Sequence, residues 1–270
     1  MHYRGAMFTV EQRDVMRDRL LAEAEDDAAV VGAAVTGSHA ARGGDQWSDI
    51  DLVFGVEGSL EATMHRWTEL IYREFDAIHH WDLPAGSGVY RVFLTSNGLE
   101  ADVGFVPTAE FGPRGPSWRT VFGHPAPEKQ APAASRRTLT GLAWHHALHA
   151  RVCIHRRRWW QAEHWISALR GQILALACLR LGHPTDYAKG AHLLPAEVTA
   201  PLTGTLVRSL DEAELVRALH AAASALMTEI SLADPTLSDR LAPVLLAPIT
   251  GDQPGPTTVA AGEGSGAAGR

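Results

Sequence analysis

The chain has 270 residues, enough for one large domain or two of ordinary size, and 46% of them are hydrophobic, which is sufficient for a buried core. A net charge of −7 and the lack of a recognisable RNA-binding module disfavour a nucleic-acid partner. No apolar run reaches the length of a membrane span, and the first residues lack a signal peptide's apolar stretch, so we expect a cytoplasmic protein with no membrane partner.

The first half of the chain shows alternating helical and strand periodicity. Thr9 and Gln12 stand at capping-box spacing at the start of an amphipathic segment, which predicts a helix there. Ser96-Asn97-Gly98 between two apolar runs predicts a hairpin. In chain order the pattern predicts a helix, a strand, a short helical turn, a strand, a helix and the two hairpin strands, at 9–27, 29–35, 38–44, 49–56, 60–77, 89–95 and 99–106. Such an order indicates an α/β (α+β) fold with a mixed sheet and helices on one side.

The second half of the chain has helical periodicity throughout. A Gly- and Pro-rich stretch at 111–132 predicts a linker, beyond which helices are expected at 136–155, 160–181, 197–208 and 212–232. We therefore predict an α/β domain in 1–125, a linker in 126–135, an all-α bundle in 136–245 and a disordered tail in 246–270. The two cysteines, Cys153 and Cys178, lie in apolar helical sequence and are expected to be buried thiols.

Charge is divided unevenly between the two halves. Residues 1–133 carry 11 basic and 20 acidic side chains, whereas residues 134–209 carry 10 basic and 3 acidic ones. An acidic half that can hold cations beside a basic half suits the binding of a triphosphate or another anion.

One short segment carries most of the chemical information. Gly37-Ser38 is followed by Asp49-Ile50-Asp51 inside an apolar run, and strand alternation places the two aspartates on one face. Adjacent carboxylates repel each other unless a cation lies between them, and Mg²⁺ is commonly bound by one or two carboxylates together with substrate phosphates. The Gly-Ser turn provides backbone N–H groups and a hydroxyl donor for those phosphates.

This spacing resembles the signature of the polymerase-β-type nucleotidyltransferases, in which a strand, Gly-Ser, a short helix and Asp-x-Asp follow one another. Arg42-Gly43 also falls where the smaller members carry Arg-Gly, although Thr36 stands where an apolar residue is usual. The helical second half is similar to that of antibiotic nucleotidyltransferases of the aminoglycoside and lincosamide type. The resemblance implies two Mg²⁺ ions, with ATP or another nucleoside triphosphate as co-substrate.

The resemblance further implies roles for individual residues. Asp49, Asp51 and a third acid on a later strand would hold the metal, and Gly37, Ser38 and Arg42 would bind phosphate. Asp102 is the favoured third acid and Glu100, on the same strand face, is its rival, because alternation alone does not separate them.

In the helical half the resemblance suggests Glu163 as the base for the acceptor hydroxyl, and Arg170 or Lys189 as a phosphate contact. An ordinary intrahelical Glu–Arg face is the alternative for Glu163 and Arg170. His145 and His149 stand four residues apart, as zinc ligands on one helix face do, but no further zinc motif accompanies them.

The function that we expect is Mg²⁺-dependent transfer of a nucleoside monophosphate, AMP first among them, to a hydroxyl of a small-molecule acceptor. The basic helical half favours a neutral or anionic acceptor over a polycation, unless the acidic first half of the chain supplies the acceptor pocket. The alternatives are AMP transfer to a protein, as in toxin–antitoxin nucleotidyltransferases, and a non-catalytic nucleotide-binding module.

Overall fold

The computed structural model describes residues 8–40, 44–129 and 134–248, and the chain divides into two compact units after residue 133. This point lies within the stretch 126–135 that the sequence predicts as a linker. In the part of the chain that the structure describes, no helix is both long and apolar enough to cross a membrane. The predicted fold class, an α/β unit with a mixed sheet followed by an all-α unit, is confirmed.

Within residues 8–40 and 44–129, the first unit has three α-helices and six strands. The helices are α1 (Val10–Asp26), α2 (Gly37–Ala40) and α3 (Leu60–Phe75). The strands are β1 (Val30–Thr36), β2 (Ile50–Val56), β3 (Ala77–Ala85), β4 (Gly88–Thr95), β5 (Glu100–Pro107) and β6 (Trp118–Phe122). The predicted capping box at the start of α1 is present. The Thr9 backbone N–H donates to Oε1 of Gln12, and the Gln12 backbone N–H donates to Oγ1 of Thr9.

All six strands form one sheet in the order β3-β4-β5-β2-β1-β6. Only the pair β2 and β5 is parallel; the other neighbouring strands are antiparallel. Because β2 and β5 run in the same direction side by side, their first residues lie at the same edge of the sheet.

The main core fills the space between one face of this sheet and helices α1 and α3. Phe54 of β2 lies 4.6 Å from the ring of Trp67 on α3 and 5.9 Å from that of Phe105 on β5, measured between ring centroids. Ile50 and Ala101 also point into this core. Alternation therefore turns the odd-numbered residues of β2 and the even-numbered ones of β5 to the opposite face.

Two strands and one helix boundary differ from the sequence prediction. Helix α3 ends at Phe75, with Asp76 in the left-handed conformation (φ 53°), and Ala77 begins β3, which the sequence did not reveal. Most side chains of β3 are exposed, so its apolar pattern is weak. Strand β6, inside the Gly- and Pro-rich stretch, was also not predicted.

The second unit is made of helices. They are α4 (Arg136–His155), α5 (Trp159–Leu181), α6 (Ala196–Leu202), α7 (Glu212–Ser231) and α8 (Pro235–Leu245). Helix α6 is shorter than predicted, because it contains Pro201 and gives way to a 3₁₀ turn at Thr203–Thr205. Helix α8 was not predicted. The predicted disordered tail, 246–270, lies outside the described residues except for 246–248.

Small side chains let the helices of the second unit approach closely. Ala143, Ala147 and Ala150 form the buried stripe of α4 and pack with buried residues of α5 and α7. Glu229 on α7 is 5% exposed and accepts two hydrogen bonds from Arg180 on α5, at 2.8 and 3.0 Å. Burying Glu229 is tolerable because that paired guanidinium offsets the loss of hydration. The expectation of two buried, unbridged cysteines is confirmed.

Candidate active site

Four carboxylates gather at the edge of the sheet where β2 and β5 begin. The parallel register places Asp51 opposite Asp102. Asp49 is the residue before β2, and Glu100 is the first residue of β5, so both lie at the same edge. Asp49, Glu100 and Asp102 each offer a carboxylate oxygen, and these three oxygens lie within 4.8 Å of one another. A set of oxygen ligands at this separation has the chemistry that Mg²⁺ prefers.

Asp51 belongs to the same face of the sheet and lies against the turn that follows β1. Gly37 has a φ of +61°, and a Cβ built at this residue would lie 1.9 Å from Oδ2 of Asp51. Only glycine fits a backbone that is left-handed and this close to a carboxylate. The structure thus brings Gly37 and Asp51, two residues singled out in the sequence, into direct proximity.

Asp102 is the carboxylate most affected by this crowding. Burial raises its pKa to about 7, and Glu100, Asp51 and Asp49 add to the shift by electrostatic repulsion. Its Oδ1 atom is buried and has no hydrogen-bond partner among the described residues. A cation bound between the carboxylates would relieve both the desolvation and the repulsion, so the residues present fit a divalent metal ion.

Ser38 provides a second buried polar atom without a partner. Its Oγ forms no hydrogen bond within the described part of the chain, and Ser38 follows Gly37 at the start of the four-residue helix α2. A hydroxyl left without a partner in this position is suited to a phosphate oxygen. Arg42, predicted to assist it, lies outside the described residues.

The loop before Asp49 is held by a buried arginine. Arg13 of α1 is 4% exposed and donates to the carbonyl oxygens of Asp45 (2.5 Å) and Ser48 (3.3 Å). The Ser48 hydroxyl bonds the backbone N–H and the carboxylate of Asp45, so it stabilises this turn rather than Asp49 itself. Arg13 was not identified from the sequence, because its role depends on a contact 32 residues away along the chain.

Tyr90 is a further residue of the site that the sequence did not reveal. It packs over Gly104 on the carboxylate-bearing face, and burial raises its pKa, with smaller contributions from Asp51 and Asp102. Its place beside the carboxylates follows from the antiparallel pairing of β4 with β5, which pairs Tyr90 with Gly104.

The predicted site residues of the second unit lie on α5 and in the loop after it. Glu163 is half-buried on α5. Arg170 donates to the Thr205 carbonyl oxygen (3.0 Å) and to Ser167 Oγ (2.9 Å), so its guanidinium already has partners in the helical unit. Lys189 is exposed at the end of a 3₁₀ turn. The proposed roles of these three residues remain predictions.

No family model and no curated protein matches the chain. Among solved structures, an aminoglycoside 6-adenyltransferase from Bacillus subtilis is similar over 86% of this chain and 90% of its own, with 12% sequence identity and a TM-score of 0.33. An identity and a TM-score this low do not establish a shared function.

We expect Asp102 to make the metal-free protein less stable as the pH rises. Its folded pKa of about 7 exceeds the ordinary value of 3.8, so between these values the folded state holds a proton that the unfolded chain has released. The contribution of Asp102 to the free energy of unfolding should therefore fall from about pH 4 to about pH 7. In EDTA, melting temperatures of Asp102→Asn should decline less across this range than those of the wild type.

Glu57→Gln, which alters an exposed carboxylate just beyond β2, is the matched control and should keep the wild-type slope. Equal slopes for Asp102→Asn and the wild type would contradict the raised pKa.

Gly37→Ala should damage the site beyond the backbone strain that it introduces. Gly58 provides the control, because its φ is +88° and a Cβ there would meet nothing within 4 Å. Both alanines carry the cost of a left-handed conformation, about 1–2 kcal/mol, but only the one at residue 37 displaces Asp51. Calorimetric titration with Mn²⁺ should show weakened binding in Gly37→Ala and wild-type binding in Gly58→Ala; equal affinities would refute the proposed contact.

Proposed function

We propose that this protein is a Mg²⁺-dependent nucleotidyltransferase that transfers a nucleoside monophosphate, AMP first among them, from a nucleoside triphosphate to a hydroxyl of a small-molecule acceptor. The observation that carries the proposal is the group of carboxylates at the start of two parallel strands, next to Gly37 and Ser38. Carboxylates for a metal and a glycine-serine turn for phosphates are the two parts that such a transfer requires.

Asp49, Asp51 and Asp102 would hold the metal, with Glu100 as an additional oxygen ligand. Bound Mg²⁺ would supply neutralisation of the triphosphate charge and a lowered pKa for the acceptor hydroxyl. The buried Ser38 hydroxyl would donate to a phosphate oxygen, and Gly37 would let the chain approach the phosphates closely. With Mg²⁺ bound by the carboxylates, the metal and the turn would together hold the triphosphate.

In the transfer step the acceptor oxygen forms a bond to the α-phosphorus while the bond to the pyrophosphate oxygen breaks. Pyrophosphate leaves, and the proton of the acceptor hydroxyl passes to a carboxylate. Glu163 is our first candidate for that carboxylate and Asp102 is the second. Positioning of the two reacting groups and stabilisation of the developing charge are the main demands of such a reaction.

The acceptor is proposed to be neutral or anionic. The helical half carries an excess of basic side chains over residues 134–209, which would repel a polycation. The test is incubation with Mg²⁺ and each α-labelled nucleoside triphosphate in turn, against a panel of antibiotics, metabolites and proteins. Label on a small molecule supports the proposal. Label on a protein instead would favour the protein-modifying alternative, and no label on any acceptor would count against enzymatic activity.

The turnover of variants that lack one carboxylate should show which carboxylates bind the metal and which merely lie near it. Asp49→Asn and Asp51→Asn should each reduce turnover more than tenfold, since each removes a proposed ligand. Asp102→Asn should be more damaging than Glu100→Gln, because Asp102 is partly buried with an unpartnered oxygen whereas Glu100 is exposed. Turnover is measured per folded molecule, with Glu57→Gln as the control. If both Asp49→Asn and Asp51→Asn kept more than about a tenth of the wild-type turnover, a reaction that depends on two Mg²⁺ ions held by these carboxylates would be ruled out.

Glu163→Gln tests the proposed base. If Glu163 accepts the proton, kcat should fall about 10²–10⁴-fold while triphosphate affinity stays nearly unchanged. The loss should be smaller for acceptors whose hydroxyl ionises easily. Glu197→Gln, an exposed carboxylate of the same unit, is the control. Reduced stability with unchanged turnover per folded molecule would assign Glu163 a structural role and leave Asp102 or solvent as the base.

A further inference from the structure

A cavity that is unrelated to the carboxylates lies in the helical unit. It has a volume of about 300 Å³ and is formed by the first turn of α4, by α5 and by the corner between α7 and α8. Leu176, Ile230 and Leu237 form an apolar part of its wall. This volume is at the lower end of the range of small-molecule sites, so the cavity suits a ligand with a small apolar body.

Two arginines lie at this cavity in an unusual position. Arg136 and Arg137 are the first residues of α4, a twenty-residue helix whose first turn has no acidic residue and whose N-cap, Ser135, makes no side-chain cap. Positive charge at a helix N-terminus is unfavourable, because the free N–H groups there already carry partial positive charge. Neither guanidinium forms an ion pair with any carboxylate in the described ranges. An anion bound at the start of α4 would compensate both the two guanidinium charges and the partial positive charge of the free N–H groups.

Thr140 supplies an independent sign of a ligand. It lines the cavity one turn beyond the arginines and is only 7% exposed. No hydrogen bond joins its hydroxyl to any other residue that the structure describes. Because Thr140 is largely buried but lines the cavity, its hydroxyl is free to form a hydrogen bond with a group bound there.

One carboxylate also borders the cavity and limits the charge of the ligand. Asp234 is exposed, and its Oδ1 accepts a hydrogen bond from the Leu237 backbone N–H (2.9 Å) as the N-cap of α8. With two arginines and one aspartate, the cavity has a net positive charge of one, which matches a single anionic group.

We propose that this cavity binds a small amphipathic anion, with its anionic head at Arg136, Arg137 and Thr140 and its apolar body against Leu176, Ile230 and Leu237. Binding would close the gap between the start of α4 and the α7–α8 corner and so stabilise the helical unit. The proposal does not depend on the transfer reaction, since it concerns residues of the helical unit alone.

Calorimetric titration of the full-length protein, without nucleotide, tests the proposal with butanoate, hexanoate and octanoate. We expect one site per chain and an affinity that rises about fourfold for each added methylene until the cavity is full, the burial of ~0.8 kcal/mol per group. Octylammonium, with the same apolar body and the opposite charge, should bind at least about tenfold more weakly than octanoate.

Variants then locate the head group. Arg136→Gln combined with Arg137→Gln should weaken octanoate binding about tenfold or more, and Thr140→Val, which keeps the shape of the side chain, should weaken it several-fold. Arg156→Gln combined with Arg158→Gln removes the same charge from exposed positions of the same unit and should leave the affinity unchanged. The melting temperature of each variant shows that it is folded.

Three results would overturn the proposal: octylammonium binding as tightly as octanoate, unchanged octanoate affinity in the Arg136/Arg137 double variant, or several octanoate molecules per chain. The last would indicate non-specific adsorption to exposed apolar surface. Unchanged affinity in the Arg136/Arg137 double variant together with lost binding in the Arg156/Arg158 control would place the anion elsewhere.

Discussion

The parallel pairing of β2 with β5 is the constraint on which the site depends. It is the one parallel pair in the sheet, and its register forces Asp51 beside Asp102 at a shared edge. Like charges at this distance oppose folding, so they persist only because the apolar face of the same strands packs firmly. Phe54 and Phe105, one on each strand, lie within the core beneath that edge. The core thus fixes the carboxylates in an arrangement that they would not adopt by themselves.

Sequence patterns reveal those residues of the candidate site that lie close together in the chain. Gly37, Ser38, Asp49 and Asp51 belong to one short segment, and the spacing alone indicated a phosphate turn beside a metal site. Strand pairing is not local, and for that reason alternation left Asp102 and Glu100 as alternatives. In the structure both belong to the carboxylate group, because the beginning of β5 lies beside the beginning of β2.

The fold shows the same division between local and non-local information. The bounds of α4 and the Asn97-Gly98 hairpin were correctly predicted, since a helical period and a turn signal are contained in the segment itself. Strands β3 and β6 were missed because each is an edge strand with few buried side chains. Helix α8 was missed because Pro243 lies inside it and interrupts its helical pattern. Tyr90 and Arg13 could not be found from spacing, because the strand pairing and the long-range contact that bring them to the site are set by tertiary structure.

The long sequence separation between the paired strands also affects the order in which the protein can fold. The paired strands β2 and β5 are separated in the chain by α3, β3 and β4, whereas the meander β3-β4-β5 joins neighbours in the chain. Closing a long loop costs entropy before its contacts form, so we expect β2 to join a meander that already exists. The repulsion between Asp51 and Asp102 then acts on that joining step, and a divalent cation or a protonated Asp102 would lower its barrier. The residues that we propose as metal ligands would in this way also influence how fast the chain reaches its native state.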